Sequence, residues 1–267
     1  MKTPFSAYLD SWSLVPDGIP IETHGASLLP VVWRDQPAML KVSSAREETE
    51  GYDLLEWWGG DGAAKVFARR DPAILMERAN GSRSLAELSR NGSDEEACRI
   101  ICAVVSKLHA TRGGWPRTLT PLEVRFRALH ESASTSGGAL YESHKASLEL
   151  LGQPQDTGCL HGDIHHQNIL DFEDKGWLAI DPKGLVGERA FDYANIFCNP
   201  DISVAGDFDR FLNRVSLVAK QAHLDPQRLM KWILAWAGLS ATWHLQDGTS
   251  PDIAVQVARM AAGALRI

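Results

Sequence analysis

Apolar and polar positions alternate in the first third of the chain and then change to helical spacing. In the run Pro37 to Val42, Ala38, Leu40 and Val42 alternate with Met39 and Lys41, the period of two expected of a half-buried strand. The short runs HGASLLPVVWRD, AAKVFAR and AILMERA, separated by Gly, Asp and Pro, predict neighbouring strands. Between them, Glu47 to Trp58 predicts a helix with Tyr52, Leu55 and Trp58 on one side. After Gly81 the period lengthens. Ala97, Ile100, Ile101, Val104, Val105 and Leu108 recur at helical spacing behind Ser93 and Glu96, which read as a capping box. The small, polar stretch 131–140 predicts a loop or helix break. Asp225 followed by Pro226 predicts an N-cap with Pro at the first helical position, opening a helix through Leu229, Ile233, Trp236 and Leu239. A small sheet with one helix, followed by a mostly helical part, predicts an α+β fold of two lobes around a cleft, divided as residues 1–78 and 79–267.

Composition narrows the picture. With 267 residues, 44% of them hydrophobic, the chain can bury a sizeable core. No stretch approaches the roughly 18 apolar residues of a membrane span, and the first residues lack the apolar core of a secretory signal, so a cytoplasmic protein is expected. Cys98, Cys102, Cys159 and Cys198 form no CxxC pair, and neither a disulfide nor a zinc site is expected. A net charge of −7 argues against nonspecific nucleic-acid binding and is compatible with a cationic small substrate. No obligatory protein partner is evident.

Residues 159 to 197 carry the candidate chemistry. Asp163 and Asn168 are five apart, and Asp181 follows the strand-like WLAI with Pro182, Lys183 and Gly184 behind it. Phosphoryl transfer needs such a set: a carboxylate to take the proton of an attacking hydroxyl, and an amide oxygen and a second carboxylate to hold Mg²⁺ on phosphates. The alternatives are a metal cluster of His161, His165 and His166 with Asp163, or a plain polar loop. No further His or Asp group at ligand spacing completes the cluster. A kinase also needs a lysine on an early strand, which Lys41 supplies, and an acidic partner on the next helix, for which Glu48 is favoured over Glu47 and Glu50.

His161-Gly162-Asp163 with Asn168 keeps the spacing of the protein-kinase catalytic loop, and Asp181 stands where the metal-binding Asp belongs. The arrangement resembles the aminoglycoside phosphotransferase and choline-kinase group. The strings Gly176 to Glu188, Phe191 to Asp201 and Ala237 to Trp243 are similar to those of aminoglycoside 6-phosphotransferases, the streptomycin 6-kinases, within the aminoglycoside/hydroxyurea resistance kinases, over most of the chain from about Glu22 onward. This resemblance implies a protein-kinase-like fold, ATP and Mg²⁺ as cofactors, Asp163 as catalytic base, and transfer of phosphate to the 6-hydroxyl of streptomycin. It further implies a phosphate-covering turn at Thr23 to Ser27, with Ser27 as a cap, and a hinge at Glu77 to Ala79 presenting groups to adenine. The two guanidinium groups of streptidine call for carboxylates, and Glu188, Asp192 and Asp201 are the candidates, with Asp192 alternatively tying down the backbone of the catalytic loop. Trp232, Trp236 and Trp243 fall at helical spacing and are expected to pack the helical core. A kinase of another small hydroxylated metabolite, or a nucleotide-binding pseudokinase, remains an alternative reading.

Overall fold

The period-two runs form a six-stranded antiparallel sheet. A computed structural model describes residues 4–23, 25–133 and 137–266, so His24 and part of the 131–140 stretch lie outside the described residues. The strands are β1 (Val15–Pro16), β2 (Ile21–Glu22), β3 (Ser27–Trp33), β4 (Gln36–Val42), β5 (Val66–Arg70) and β6 (Ala73–Glu77). Their order is β1-β3-β4-β6-β5, with β2 on the other end of β3. In β4, Ala38 and Leu40 face a small core with Phe5, Leu29, Val31 and Leu75 beneath the N-terminal helix α1 (Ser6–Trp12). Met39 and Lys41 point the other way, towards α2 (Arg46–Trp58) and the second lobe. Helix α2 buries Tyr52, Leu54, Leu55 and Trp58 and ends at Gly59 in the left-handed conformation.

Past Glu77 helices dominate: α3 (Leu85–Arg90), α4 (Asp94–Leu108), the short α5 (Leu122–Arg125), α6 (Arg127–Ala133) and α7 (Ala139–Gly152). After the catalytic segment come α8 (Ile202–Ala205), α9 (Phe208–Ala222), α10 (Pro226–Gln246) and α11 (Asp252–Ala264). The Asp225 carboxylate accepts from Gln227 N and caps α10 as its sequence predicts. The Ser93 capping box does not form, because the Ser93 N–H that Glu96 would take already donates to Leu88 O, and the Ser93 side chain caps nothing. Ser84 instead caps α3, accepting from Glu87 N. Helix α10 runs through the core of this lobe, with Trp232 and Trp236 buried against Phe191. Among the described residues no helix is long and apolar enough to cross a membrane.

Two small sheets lie where the lobes meet. One is the hairpin of β9 (Ile169–Asp171) and β10 (Trp177–Ala179). The other joins β7 (Thr120–Pro121), β11 (Leu185–Glu188) and β8 (Thr157–Leu160). The antiparallel sheet carrying one helix, and the helical part that follows, make the protein-kinase-like architecture.

Candidate active site

The two small sheets bring the polar anchors together. Asn168 precedes β9 and Ile180 follows β10, and Ile180 N donates to Asn168 O at 2.9 Å, extending the hairpin ladder and setting Asp181 beside Asn168. In the other sheet Leu160 pairs with Leu185, and Lys183 N donates to His161 O at 2.7 Å. The segments 161–168 and 180–183, separate in sequence, are thereby fastened side by side. Gly162 adopts φ +83 at the turn between them, where a Cβ would meet the Leu185 side chain.

Buried His161 is a strut of this turn. Its Nε2 lies 2.8 Å from Ile180 O and its Nδ1 3.2 Å from Asp163 N, so Nε2 donates and Nδ1 accepts, the bonding of a neutral ring. Burial pushes its proton affinity down, against the pull of Asp192 and Asp163. Below about pH 6.5 the unfolded chain protonates this histidine while the folded chain does not. Its contribution to stability is therefore full above that pH and lost as pH falls. The denaturant midpoint is expected to drop between pH 7.5 and 5.5, and His161→Asn to remove up to about 1.4 kcal/mol per pH unit from that slope.

Asp192 holds the same turn from below. It is buried, and its carboxylate accepts from His161 N at 2.9 Å and Gly162 N at 2.7 Å, with His109 Nε2 at 2.8 Å. These contacts tie down the backbone of the catalytic loop, the second of the two roles expected of it. Asp192→Ala leaves two buried N–H groups unpaired and is expected to cost about 2–4 kcal/mol, read as a lower urea midpoint at unchanged m.

Lys41, Glu48, Asp181 and Lys183 form one network, the lysines buried and the carboxylates half-buried. Lys41 Nζ donates to both Glu48 Oε2 and Asp181 Oδ1. Lys183 Nζ donates to Glu48 Oε1 and, at 3.1 Å, to Asp181 Oδ2. Two cations and two carboxylates balance, so no charge is left uncompensated away from water. Burial alone would raise the Asp181 carboxyl, but Lys41 and Lys183 outweigh it and hold the group well below the ordinary carboxylate range. Lys183 is the converse case: burial lowers it, Asp181 and Glu48 raise it, and the raising wins. Of the three acids considered on α2, Glu48 is the one that reaches Lys41. Glu47 bonds Arg125 and Glu50 bonds Arg46.

Three cavities surround these residues. The first, of about 430 Å³, is lined by Thr23, Gly25, Lys41, Glu48, Met76, Asn168 and Asp181. The second, also of about 430 Å³, holds Asp163 with His165, Asn195, Trp236 and Trp243. A third of about 550 Å³ lies between α2 and α5, lined by Glu47, Glu50, Glu131 and Lys183, and shares Arg125 and Trp243 with the second. Asp163 thus lines the second cavity, under the helices, while its bonding partner Asn168 lines the first, on the sheet side. Asn168 Nδ2 donates to Asp163 O at 2.9 Å and to Asp163 Oδ2 at 3.1 Å, which leaves the Asn168 amide oxygen free to face the first cavity. An amide oxygen and an ionised carboxylate are hard ligands of the kind Mg²⁺ takes alongside phosphate oxygens, so Asn168 and Asp181 fit that ion.

Other candidates lie elsewhere. Ser27 Oγ donates to Glu22 at 2.6 Å and does not line the first cavity, although Thr23 and Gly25 of the same turn do. Glu77 pairs with Lys175, and Ala79 packs beside Ala64, Phe172 and Leu178; neither lines the cavity, while their neighbour Met76 does. Glu188 is buried, accepting from Arg228 Nε at 2.6 Å and Trp232 Nε1 at 2.8 Å. Asp201 caps α8 through Ser203 N and pairs with Arg90 at 2.7 Å. His166 is buried and His165 lies 3.8 Å from Asp163. Trp243 packs on the edge of the core against Trp236, as expected, and its other side reaches the cavities. The Arg125 guanidinium sits 4.3 Å from its ring, at the wall shared by two cavities. Sequence reading gave no role to Lys183, Arg125 or Asn195, and a lysine two residues past a metal-type Asp was the one local signal available.

Residues 11–248 match the aminoglycoside/hydroxyurea antibiotic resistance kinase family. The chain belongs to that family. Membership makes it a kinase, a phosphotransferase with an alcohol group as acceptor. It is 48% identical to streptomycin 3″-kinase of Klebsiella pneumoniae over 245 residues, covering 90% of this chain and 92% of that one. It is 30% identical to streptomycin 6-kinase of Streptomyces griseus, covering 94% and 85%. Among solved structures, aminoglycoside phosphotransferase APH(4)-Ia in complex with ADP and hygromycin B superposes with a TM-score of 0.66 at 13% identity, covering 99% of this chain and 98% of that one. Amicoumacin kinase hAmiN in complex with AMP-PNP, Ca²⁺ and Ami gives 0.68 at 15% identity, covering 99% and 94%. At such identities these two speak for the fold.

Proposed function

We propose that this kinase moves the γ-phosphate of ATP to a hydroxyl of streptomycin, and that the hydroxyl is the 3″ one. The chemistry rests on one observation: Lys41, Glu48, Asn168 and Asp181 line a single cavity, and Asn168 is bonded to Asp163, which lines the neighbouring one. The acceptor rests on the 48% identity to the 3″-kinase along 90% of the chain. The 6-hydroxyl, expected from sequence strings, is the second reading and keeps the support of the 30% identity to a 6-kinase.

In this reading the triphosphate lies in the cavity beside Lys41, which Glu48 steadies for contact with the α- and β-phosphates. Asn168 and Asp181 would hold Mg²⁺, whose charge offsets that of the phosphates when it is bound. The acceptor hydroxyl approaches from the Asp163 side, and the carboxylate orients it and takes its proton as the bond to phosphorus forms. Binding of a cationic antibiotic draws support from Glu47, Glu50 and Glu131 in the 550 Å³ cavity and from the Trp243 ring. These take over the role that sequence reading gave to Glu188, Asp192 and Asp201.

The test is ATP turnover by the purified protein with Mg²⁺ and streptomycin, beside kanamycin and no-acceptor controls, followed by NMR location of the phosphate. Phosphate on the 3″ oxygen is the expected result. Phosphate on the 6 oxygen would replace the first reading with the second, and turnover only with another alcohol would remove streptomycin altogether.

A further inference from the structure

Asp163 is held from two sides, and the catalytic-loop pattern accounts for only one. Asn168 donates to Asp163 Oδ2 at 3.1 Å. The other carboxylate oxygen, Oδ1, accepts from Asn195 Nδ2 at 2.9 Å, thirty-two residues further along the chain. Asn195 is buried and sits in the short 3₁₀ turn Asn195–Cys198, on the wall of the same cavity as Asp163.

The direction of this amide is fixed by chemistry. Its oxygen accepts from Trp236 Nε1 at 3.0 Å and from Asn199 Nδ2 at 3.0 Å. An indole nitrogen can only donate, so the Asn195 oxygen must face Trp236 and its NH₂ must face Asp163. Trp236 is itself buried in α10, wedged against Phe191 and Trp243, so the donor that orients Asn195 cannot wander. A chain of three contacts therefore runs from the rigid core of the helical lobe to one oxygen of Asp163.

We propose that Asn195 is a positioning residue for phosphoryl transfer, locking the Asp163 carboxylate plane with its amide N–H, and that Trp236 and Asn199 aim it. The inference rests on the reading of Asp163 as the base. With one amide donor on each oxygen, the carboxylate keeps a single plane and a free lone pair towards the acceptor. Both donors are neutral, so they orient the carboxylate without neutralising it. Arg125 lines the same cavity, and His165 lies 3.8 Å from Oδ2, but neither hydrogen-bonds Asp163.

The decisive comparison is between Asn195→Ala and Asn195→Asp, with Trp236→Phe and the double variant N195A/W236F, assayed with ATP, Mg²⁺ and streptomycin. Positioning predicts that N195A lowers kcat about 10- to 100-fold with KM for ATP unchanged. N195D must do worse, because it keeps the shape and the acceptor for Trp236 but sets a second carboxylate against Asp163. A merely structural role predicts the reverse order, since N195D preserves the packing and the Trp236 bond. W236F should lower kcat less than N195A and add nothing in the N195A background. Activity of N195D within about twofold of wild type overturns the inference, as do N195A and W236F losses that multiply independently. Should N195A fold poorly by circular dichroism, the isosteric N195D decides alone. Retained turnover in Asp163→Ala would instead overturn the base assignment, a separate result read on a separate variant.

Discussion

Asp163→Ala is expected to lower kcat by about 10³-fold or more while leaving Mg²⁺·ATP affinity within a few-fold of wild type. The size follows from the role: a positioned base contributes about 10²–10⁴ to proton transfer, and here the same group also aims the hydroxyl. The selectivity follows from the geometry. Asp163 faces the acceptor-side cavity, whereas Lys41, Glu48 and Asp181 line the other. Removing it cuts two amide contacts, from Asn168 Nδ2 and Asn195 Nδ2, beside a cavity open to water, so the unpaired groups can be solvated and the fold should survive. Single-turnover ADP formation and nucleotide titration calorimetry separate the two effects. Turnover within tenfold of wild type would remove Asp163 as the base.

The elements and anchors whose signal is local were legible in the sequence. Alternation around Lys41 gave β4 and the direction in which the lysine points, and the run 47–58 gave α2, because burial of one face imposes a period that no distant residue needs to supply. The five-residue offset of Asp163 and Asn168, and Asp181 after a strand, were readable for the same reason: one hairpin, β9–β10, converts chain order into adjacency. Partnerships were not readable. An acid written between apolar residues says that it is paired, not with what. Glu188 was assigned to a substrate but meets Arg228 forty residues on, and Asp192 meets His109 across 83 residues. The Ser93 capping box failed because the Ser93 N–H is taken by Leu88 O in closing the C-terminus of the preceding helix α3. Asn195 had no signal, because its role depends on a tryptophan in another helix.

A close backbone approach between the lobes explains why one glycine stands where a helix would favour alanine. Gly51 is buried in the middle of α2, where glycine costs about 0.5–1 kcal/mol relative to alanine. A Cβ on it would overlap the carbonyl oxygen of Pro182, so α2 lies against the backbone of the Asp181 segment with no side chain between them. Glu48 is three residues earlier on the same face, which is how one carboxylate reaches both Lys41 and Lys183. Gly51→Ala must push α2 away from Pro182 and carry Glu48 with it. The expected result is a loss of about 1–3 kcal/mol of stability, as for an overpacked contact, and a fall of about 100-fold in kcat/KM, as for a misplaced binding group. Thermal unfolding decides the sign. At an ordinary helical position the same exchange would stabilise by about 0.4–1 kcal/mol through the unfolded chain. A raised Tm with full activity would mean that the two backbones do not meet here, and that Glu48 is positioned by its lysines alone.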